Sequence, residues 1–445
     1  MLRGISISFL IGLSVFIIAS LALSQAQAIL LAVIALMLVL WTNEALPLGV
    51  VSLFPIVLFP SLSLSATADV SANYAKPIIF LFIGGFMLAL AVEKTNFHKL
   101  IAYKLLKLFP HTVRGILFSL LLISGILSSF ISNSTSALLL IPLALSLSSE
   151  REIQKRFALA IAYGASIGGI LTPIGTPPNL ILYGIFDELH IVAIPFIKWI
   201  LLVFPLALLM FLVVGWILSR STEDYQIKAN ELIDTVSFEH KKLIACFILL
   251  FFILIFNSPI QGISNGLGLN EKVLMLAFGL LMFMPPMNLL EWKDMQKLPY
   301  EIIFLFGAGF SIAMAFRTTG LASELANSLL RLTHLHPFVL ILLIASLVTF
   351  TTEITSNTAL IAMILPVLYE VCQQSQLNAR LFMMIATICA SYAFMLPIAT
   401  PPNAIAMSSG AVSVKSMAKY GFMLNLIGIL LISLISYFIW SHFLL

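Results

Sequence analysis

The sequence predicts an all-α integral membrane protein, with about 11 transmembrane helices and two re-entrant hairpins arranged as an inverted repeat. Three observations carry that prediction. Of its 445 residues 61% are hydrophobic and only 9% are charged, with a mean hydropathy of +1.10, whereas soluble domains are about a quarter charged. Apolar runs such as 5–23, 77–92, 192–218 and 421–444 reach the roughly 20 residues that a helix needs to cross a bilayer. Finally, one unusual pair of signatures is written twice. Ser132-Asn133-Ser134 precedes Thr172-Pro173-Ile174-Gly175-Thr176-Pro177-Pro178-Asn179, and Ser356-Asn357-Thr358 precedes Leu396-Pro397-Ile398-Ala399-Thr400-Pro401-Pro402-Asn403, each 224 residues later.

Hydropathy and helix breakers place spans near 5–24, 28–41, 48–65, 76–93, 156–185, 193–219, 242–257, 272–285, 299–317, 380–410 and 419–443. Arg3, the first apolar run and Ala26-Gln27-Ala28 resemble a cleaved leader, but the run is long for one and another apolar stretch follows at once, so it reads as a first span. The remaining apolar stretches, 113–148 and 337–372, carry Ser/Asn clusters in their middles. Each is too long for one crossing and too short for two, which leaves half-helices that enter and leave by one face. Such backbone is tolerated in a bilayer only where protein or a water-filled cavity covers it.

The repeat reaches beyond the signatures. Ile78-Ile79-Phe80-Leu81-Phe82 matches Ile302-Ile303-Phe304-Leu305-Phe306, Gly85-Phe86 matches Gly309-Phe310, and Pro142 matches Pro366, all at the same offset. The single membrane domain thus divides into repeat 1 at about 28–219, with hairpin 113–148 and broken helix 156–185, a polar connector at 220–241, and repeat 2 at about 242–445, with hairpin 337–372 and broken helix 380–410. With the N-terminus cytoplasmic, 17 of the 23 Lys and Arg residues fall inside, as the positive-inside rule requires. This orientation puts the C-terminus outside and makes the two copies inverted. Segments 94–112 and 318–336 read as amphipathic arms on the membrane surface. The net charge of +4 resides in loops between spans and points to no nucleic acid. Cys246, Cys372 and Cys389 are widely spaced in apolar sequence and read as buried small residues.

The repeated signatures carry the chemistry. Ser and Asn are good N-caps, so Ser132-Asn133 and Ser356-Asn357 can end one half-helix and begin the next, leaving oxygens and amides free to face a cavity. Pro177-Pro178 and Pro401-Pro402 remove backbone donors and force a break within a crossing helix, after which Pro suits the start of a new half-helix. Each break is expected to face the hairpin tip of its own repeat. Helix N-termini suit anions, and helix C-termini with unwound carbonyls suit a hard cation such as sodium. No Lys or Arg lies within 124–140, 160–185, 340–370 or 390–410. An anion would therefore be held by amides, hydroxyls, helix ends and co-bound cations.

Proton coupling normally uses titratable residues inside the membrane. The repeated site has none, and Glu353 and Glu370 in the second hairpin have no counterpart in the first. The same absence weighs against a sodium/proton antiporter or an arsenite-type exporter. An enzyme would need a nucleophile with a base, or a metal set. All seven histidines fall near span ends or in loops, His334 and His336 being the nearest to a metal pair.

At these residues the chain resembles the divalent anion/sodium symporter family, which includes the INDY-type dicarboxylate and citrate carriers. The resemblance covers nearly the whole chain, through the paired hairpin tips, the paired Thr-Pro-Pro-Asn breaks and the spacing between them. It implies a homodimer of elevator-type transporters, with sodium-coupled uptake of a C4-dicarboxylate such as succinate, malate or fumarate. Citrate or sulfate transport, or sodium-independent dicarboxylate exchange, are the alternatives within the family. Carried over, a first sodium site would use Ser128, Ser132, Asn133 and Gly175, and a second Thr352, Thr355, Asn357 and Ala399. Substrate carboxylates would meet Ser132, Asn133 and Ser134 on one side and Ser356, Asn357 and Thr358 on the other, with Thr176, Pro177, Thr400 and Pro401 completing the pocket. Ser134 departs from the family's usual Thr, which leaves the choice of anion open. Ser134 against Thr358, Gly175 against Ala399 and the unmatched Glu353 mark where substrate choice and coupling are expected to be set.

Overall fold

The computed structural model describes residues 2–43, 45–220, 236–257, 266–329, 335–397 and 399–444. Most of the expected connector, His334 of the histidine pair and Ile398 of the second break lie outside them. The described residues form helices and loops, with no strand among them. Before the connector come α1 (Leu2–Ala19), α2 (Gln25–Asn43), α3 (Leu48–Ser52), α4 (Phe54–Ser61), α5 (Thr67–Ala72), α6 (Pro77–Lys94), α7 (Phe97–Leu108), α8 (Val113–Ser128), α9 (Asn133–Ser146), α10 (Arg151–Gly169), α11 (Pro177–Glu188) and α12 (Phe196–Ser219). After these come α13 (Phe238–Asn257), α14 (Glu271–Leu281), α15 (Tyr300–Thr318), α16 (Leu321–Leu329), α17 (Pro337–Thr352), α18 (Asn357–Gln374), α19 (Ala379–Ser391), α20 (Pro401–Ser408), α21 (Val414–Ile435) and α22 (Ser441–Phe443).

Among the described residues, six helical stretches are long and apolar enough to cross a membrane: Leu2–Ala19, Gln25–Asn43, Thr67–Lys94, Phe196–Ser219, Tyr300–Thr318 and Val414–Phe443. Several expected spans are divided instead. The stretch at 48–65 is split at Leu53 into α3 and α4, and the one at 272–285 ends its helix at Leu281 before a turn. Both broken-helix stretches are interrupted, between α10 and α11 and between α19 and α20. Pro142 and Pro366 sit inside α9 and α18 without ending them.

The faces of these helices fit an apolar surrounding. On α12 the exposed Leu201, Phe204, Leu208, Leu212 and Trp216 recur every three or four residues, and the buried Trp199, Val203, Leu206, Met210 and Val214 form the opposite stripe. In contrast, α10 from Arg156 onward and α19 from Leu381 onward are buried on every face. The first halves of the two broken helices therefore lie at the centre of the protein. Around them, α10 packs on α8 and α9, and α19 packs on α17 and α18. The second halves cross over: α11 packs on α18 and α20 on α9. Likewise α6 packs on α14 while α15 packs on α3.

Charged residues gather at helix ends. Glu188 at the end of α11 pairs with Lys76 and, at 3.6 Å, with Arg317, while Asp187 pairs with Lys272 at 2.5 Å. Elsewhere, Lys94 pairs with Asp294 at 2.6 Å. Burial opposes the charge of Asp294, but hydrogen bonds from Lys94 and from the Glu291 backbone prevail and hold its carboxyl below the usual carboxylate range. Cys246, Cys372 and Cys389 are buried and carry no disulfide. His336 serves as the N-cap of α17, accepting from Phe338 N at 3.3 Å.

Candidate functional site

The two breaks have nearly the same backbone geometry. Thr176 at φ −145°, ψ 144° and Thr400 at φ −141°, ψ 145° stand as N-caps, and Pro177 and Pro401 open α11 and α20. Because the prolines lack N–H groups, the loop before them needs other partners, and the motif's last residue supplies one. Asn179 Nδ2 donates to Thr172 O at 2.9 Å, and Asn403 Nδ2 donates to Leu396 O at 3.1 Å and to Ala393 O at 2.9 Å. In addition, Gly175 N donates to Thr172 O and Ala399 N to Leu396 O, both at 3.3 Å. The hydroxyls of Thr176 and Thr400 and the Oδ1 atoms of Asn179 and Asn403 are buried and have no hydrogen-bond partner among the described residues.

At the hairpin tips, Ser132 Oγ accepts from Thr135 N at 3.1 Å and Ser356 Oγ accepts from Ala359 N at 3.5 Å, so both serines cap the helices that follow them. Ser132, Asn133, Ser134, Ser356 and Asn357 are half-buried, and Thr358 is buried. Asn133 and Asn357 start α9 and α18, whereas Ser128, Gly169, Thr352 and Ser391 end α8, α10, α17 and α19. Each half-site therefore combines helix N-termini, which carry partial positive charge, with helix C-termini, which carry partial negative charge.

The halves differ in how their hydroxyls are used. Ser128 Oγ donates to Asn133 Oδ1. Its counterpart Thr352 instead donates to Ala390 O at 3.0 Å, and Asn357 Oδ1 accepts from Thr358 Oγ1 at 3.0 Å. Thr355, in the tip, is turned back onto the last turn of α17, donating to Thr351 O at 2.9 Å. The first half-site is also more tightly drawn. A Cβ on Gly169 would come within 2.7 Å of Asn133 Oδ1, and a Cβ on Gly175 would collide with the Gly169 carbonyl and lie 3.1 Å from Ser128 O. Ser128, Asn133, Gly169 and Gly175 thus converge, and only a residue without a side chain fits at the last position. The second half-site carries Ala393 and Ala399 at the matching positions.

Each tip is tied to its own break by different chemistry. In repeat 1, Thr172 Oγ1 donates to Ser129 O at 2.5 Å and Ser129 Oγ donates to Gly168 O at 3.0 Å, while Trp199 Nε1 of α12 donates to Ile170 O at 2.9 Å. In repeat 2, the residue matching Ser129 is Glu353, whose carboxylate accepts from Met395 N at 2.9 Å and Leu396 N at 3.0 Å. A cavity opens beside the first half-site, lined by Phe82, Phe86, Phe130, Ser132, Gly175 and Pro177.

The motif itself announced Asn179 and Asn403, since they recur with it; the role of Gly169 needed the fold. Asn425 on α21 also joins the second tie, donating to Glu353 at 2.6 Å. Its one sequence signal is an amide within the apolar stretch 421–444, where polar side chains are costly unless partnered. The aromatic wall of Phe82, Phe86 and Phe130 had no signal apart from the repeat, which contains Phe82 and Phe86.

A family model described as the sodium:sulfate symporter transmembrane region matches residues 2–445. The chain is 32% identical over 438 residues to the sodium-dependent dicarboxylate transporter SdcS of Staphylococcus saprophyticus, covering 90% of this chain and 83% of that one. It is 31% identical over 434 residues to SdcS of Staphylococcus aureus (strain USA300), with coverage of 90% and 83%. In fold it is similar to the YdaH transporter of Alcanivorax borkumensis, with a TM-score of 0.58 at 16% identity over 82% of this chain and 86% of that one. It is similar also to MtrF of Neisseria gonorrhoeae, with a TM-score of 0.60 at 12% identity over 93% and 95% of the two chains. Matched from end to end and built around two polar breaks in apolar helices, the chain belongs to the sodium:sulfate symporter family and is an integral membrane transporter that uses sodium as its coupling ion.

Proposed function

We propose that this protein carries out sodium-coupled uptake of a C4-dicarboxylate such as succinate, malate or fumarate across the cell membrane. The observation that carries this reading is the doubled half-site, in which unwound backbone, hairpin tip and Asn staple recur 224 residues apart without a Lys or Arg in any of those segments. Its donors are hydroxyl, amide and carbonyl oxygens, the set that suits a hard cation. In the first half, Ser128, Ser132, Asn133 and Gly175 hold one sodium ion. In the second, Thr352, Thr355, Asn357 and Ala399 hold another; the hydroxyl of Thr352 keeps lone pairs for a cation while its proton is given to Ala390 O. With this positive charge in place, the amides and hydroxyls of Ser132, Asn133, Ser134, Ser356, Asn357 and Thr358, together with Thr176, Pro177, Thr400 and Pro401, receive the two carboxylates. The names of the SdcS relatives support a dicarboxylate as cargo.

The same reading includes about 11 spans, two re-entrant hairpins and an inverted repeat, with a homodimer whose transport parts move as elevators. Support comes from the crossed packing of α11 on α18 and α20 on α9, which is reciprocal between the two copies. The sharing of faces among the loops is supported by the ion pairs, and the cytoplasmic N-terminus by the excess of Lys and Arg that it puts inside. Lys76, Asp187, Glu188, Lys272 and Arg317 all fall on the outer side of that topology, and Lys94 and Asp294 on the inner side.

Uptake of labelled succinate into proteoliposomes, with and without a sodium gradient, tests the proposal; uptake indifferent to sodium would remove the symport claim. A second cargo, sulfate, is favoured by the family's description and by Ser134, which lacks the methyl of Thr358. Melting temperatures in succinate, citrate and sulfate, each with sodium and with potassium, separate these anions, because only a ligand that binds the folded state raises the melting point.

A further inference from the structure

We propose that Glu353 and Asn425 form a latch that sets the cation affinity of the second half-site by holding its unwound backbone against its own hairpin tip. The inference rests on the reading that Thr352, Thr355, Asn357 and Ala399 surround a coupling cation. Glu353 is 3% exposed and sits between Thr352, the last residue of α17, and Ser356, the cap of α18. Its Oε1 accepts from Met395 N at 2.9 Å and from Asn425 Nδ2 at 2.6 Å, and its Oε2 accepts from Leu396 N at 3.0 Å. Asn425 is fully buried on α21, and its own Oδ1 accepts from Phe394 N at 3.4 Å.

Three successive N–H groups, those of Phe394, Met395 and Leu396, are thus held by side chains from α21 and from the tip that follows α17. These groups lie just beyond the end of α19. A peptide N–H points opposite to the carbonyl of the preceding residue. Aiming the Met395 and Leu396 N–H groups at Glu353 therefore turns the carbonyls of Phe394 and Met395 away from it. The Leu396 carbonyl remains for Asn403 and for Ala399 N. The latch fixes the start of the loop, and the Asn403 staple fixes the turn that ends in Ala399 and Thr400.

Charge separates the copies as well. At the position of Glu353 the first repeat has Ser129, and the side chain that reaches the first break from α12 is the neutral donor Trp199, bonded to Ile170 O at 2.9 Å. The second half-site consequently has a built-in carboxylate beside its cation ligands, and the first does not. Hydrogen bonds to an ionised acceptor are roughly twice as strong as neutral ones. This makes the tie at the second half-site the stiffer one, and it adds negative potential where a cation is to be held.

The test uses the full-length protein in proteoliposomes, with labelled succinate uptake measured across a sodium titration and, at saturating sodium, across a succinate titration. E353Q turns an amide NH2 toward a backbone donor, and N425A removes one donor to Glu353 and the acceptor for Phe394 N. Both are expected to raise the sodium half-saturation concentration by about ten-fold or more, while succinate KM at saturating sodium stays within about two-fold. E353D keeps the charge on a shorter stem and should fall between E353Q and wild type. Should N425A fail to fold, N425S takes its place, read out as the sodium-induced rise in melting temperature in detergent. Folded E353Q and N425A (or N425S) proteins with wild-type sodium dependence overturn the latch. So does an equal change in sodium half-saturation and succinate KM that tracks a lower sodium-free melting temperature, because that marks support of the fold alone. If wild-type uptake shows no sodium dependence, the sodium reading itself fails and the latch falls with it, a result distinct from the other two.

Discussion

Asn179 and Asn403, 224 residues apart, make the same bond: each donates its amide to the carbonyl seven residues upstream, Thr172 O at 2.9 Å and Leu396 O at 3.1 Å. Both amides are fully buried. Each therefore closes a loop that prolines have deprived of donors, and closes it from inside the protein.

Removing either staple is the first expected loss. N179A or N403A leaves a buried carbonyl short of a donor, which costs about 1–3 kcal/mol, and loosens the turn that carries Gly175 or Ala399. Reduced melting temperature together with a fall in uptake rate is the expected outcome, checked by thermal unfolding in detergent and by succinate uptake. Full uptake by N403A would show that the staple does not shape the site.

Gly175 and Ala399 should respond differently to exchange. The methyl of G175A meets the Gly169 carbonyl and forces the first break apart. Strong loss of sodium-dependent uptake is expected. A399G meets no such obstacle, and its cost is backbone entropy of roughly 0.5–1 kcal/mol. Sodium titrations of the melting temperature compare the two, and equal effects would contradict the drawn-in geometry of the first half.

Asn133 and Asn357 carry both sodium and substrate in the proposed site, so N133A and N357A are each expected to abolish sodium-dependent uptake. The hydroxyls around them are not equivalent. Because Ser128 faces Asn133 whereas Thr352 donates to Ala390 O, S128A should shift the sodium half-saturation more than T352A does. Uptake assays across a sodium series give the ordering, and the reverse order would reassign the ligands.

The charged ends provide a fourth expectation. Glu188 has a side chain 17% exposed and is paired with both Lys76 and Arg317. E188Q would leave two cations without their acceptor, and a loss on the order of 1–3 kcal/mol is expected once solvent screening is allowed for. The pair of Lys293 with Glu291 lies in the open, with side chains 70% and 62% exposed, and K293Q is expected to leave the melting curve unchanged. Thermal unfolding of both variants makes the comparison; equal effects would show that the α11 end is not held by these pairs.

Much of the site was readable because its parts are punctuation. A Pro-Pro pair suits the first turn of a new helix and Ser caps the helix that follows it, so Pro177, Pro401, Ser132 and Ser356 act in the fold as their chemistry requires. The division of the expected span 48–65 at Leu53 was not readable, because hydropathy records apolar length and is nearly blind to a one-residue turn among apolar residues. Glu353 stood out as an unmatched acid, but nothing local joins it to Asn425, 72 residues further along the chain.

The sequence by itself determined that the chain is a membrane protein, that it writes one pair of motifs twice, and that each copy of the pair interrupts apolar sequence with oxygen-rich, proline-containing turns. Those properties follow from composition and from residues whose backbone preferences are local. Only the tertiary structure decided that α11 packs on α18 and α20 on α9, that Ser128 turns to Asn133 while Thr352 turns to Ala390, and that one tip is tied by a hydroxyl and the other by a carboxylate. The reason is physical: a donor in an apolar interior takes whichever acceptor the packing brings within about 3 Å. That choice is made between helices far apart in the chain, where two nearly identical motifs meet different neighbours.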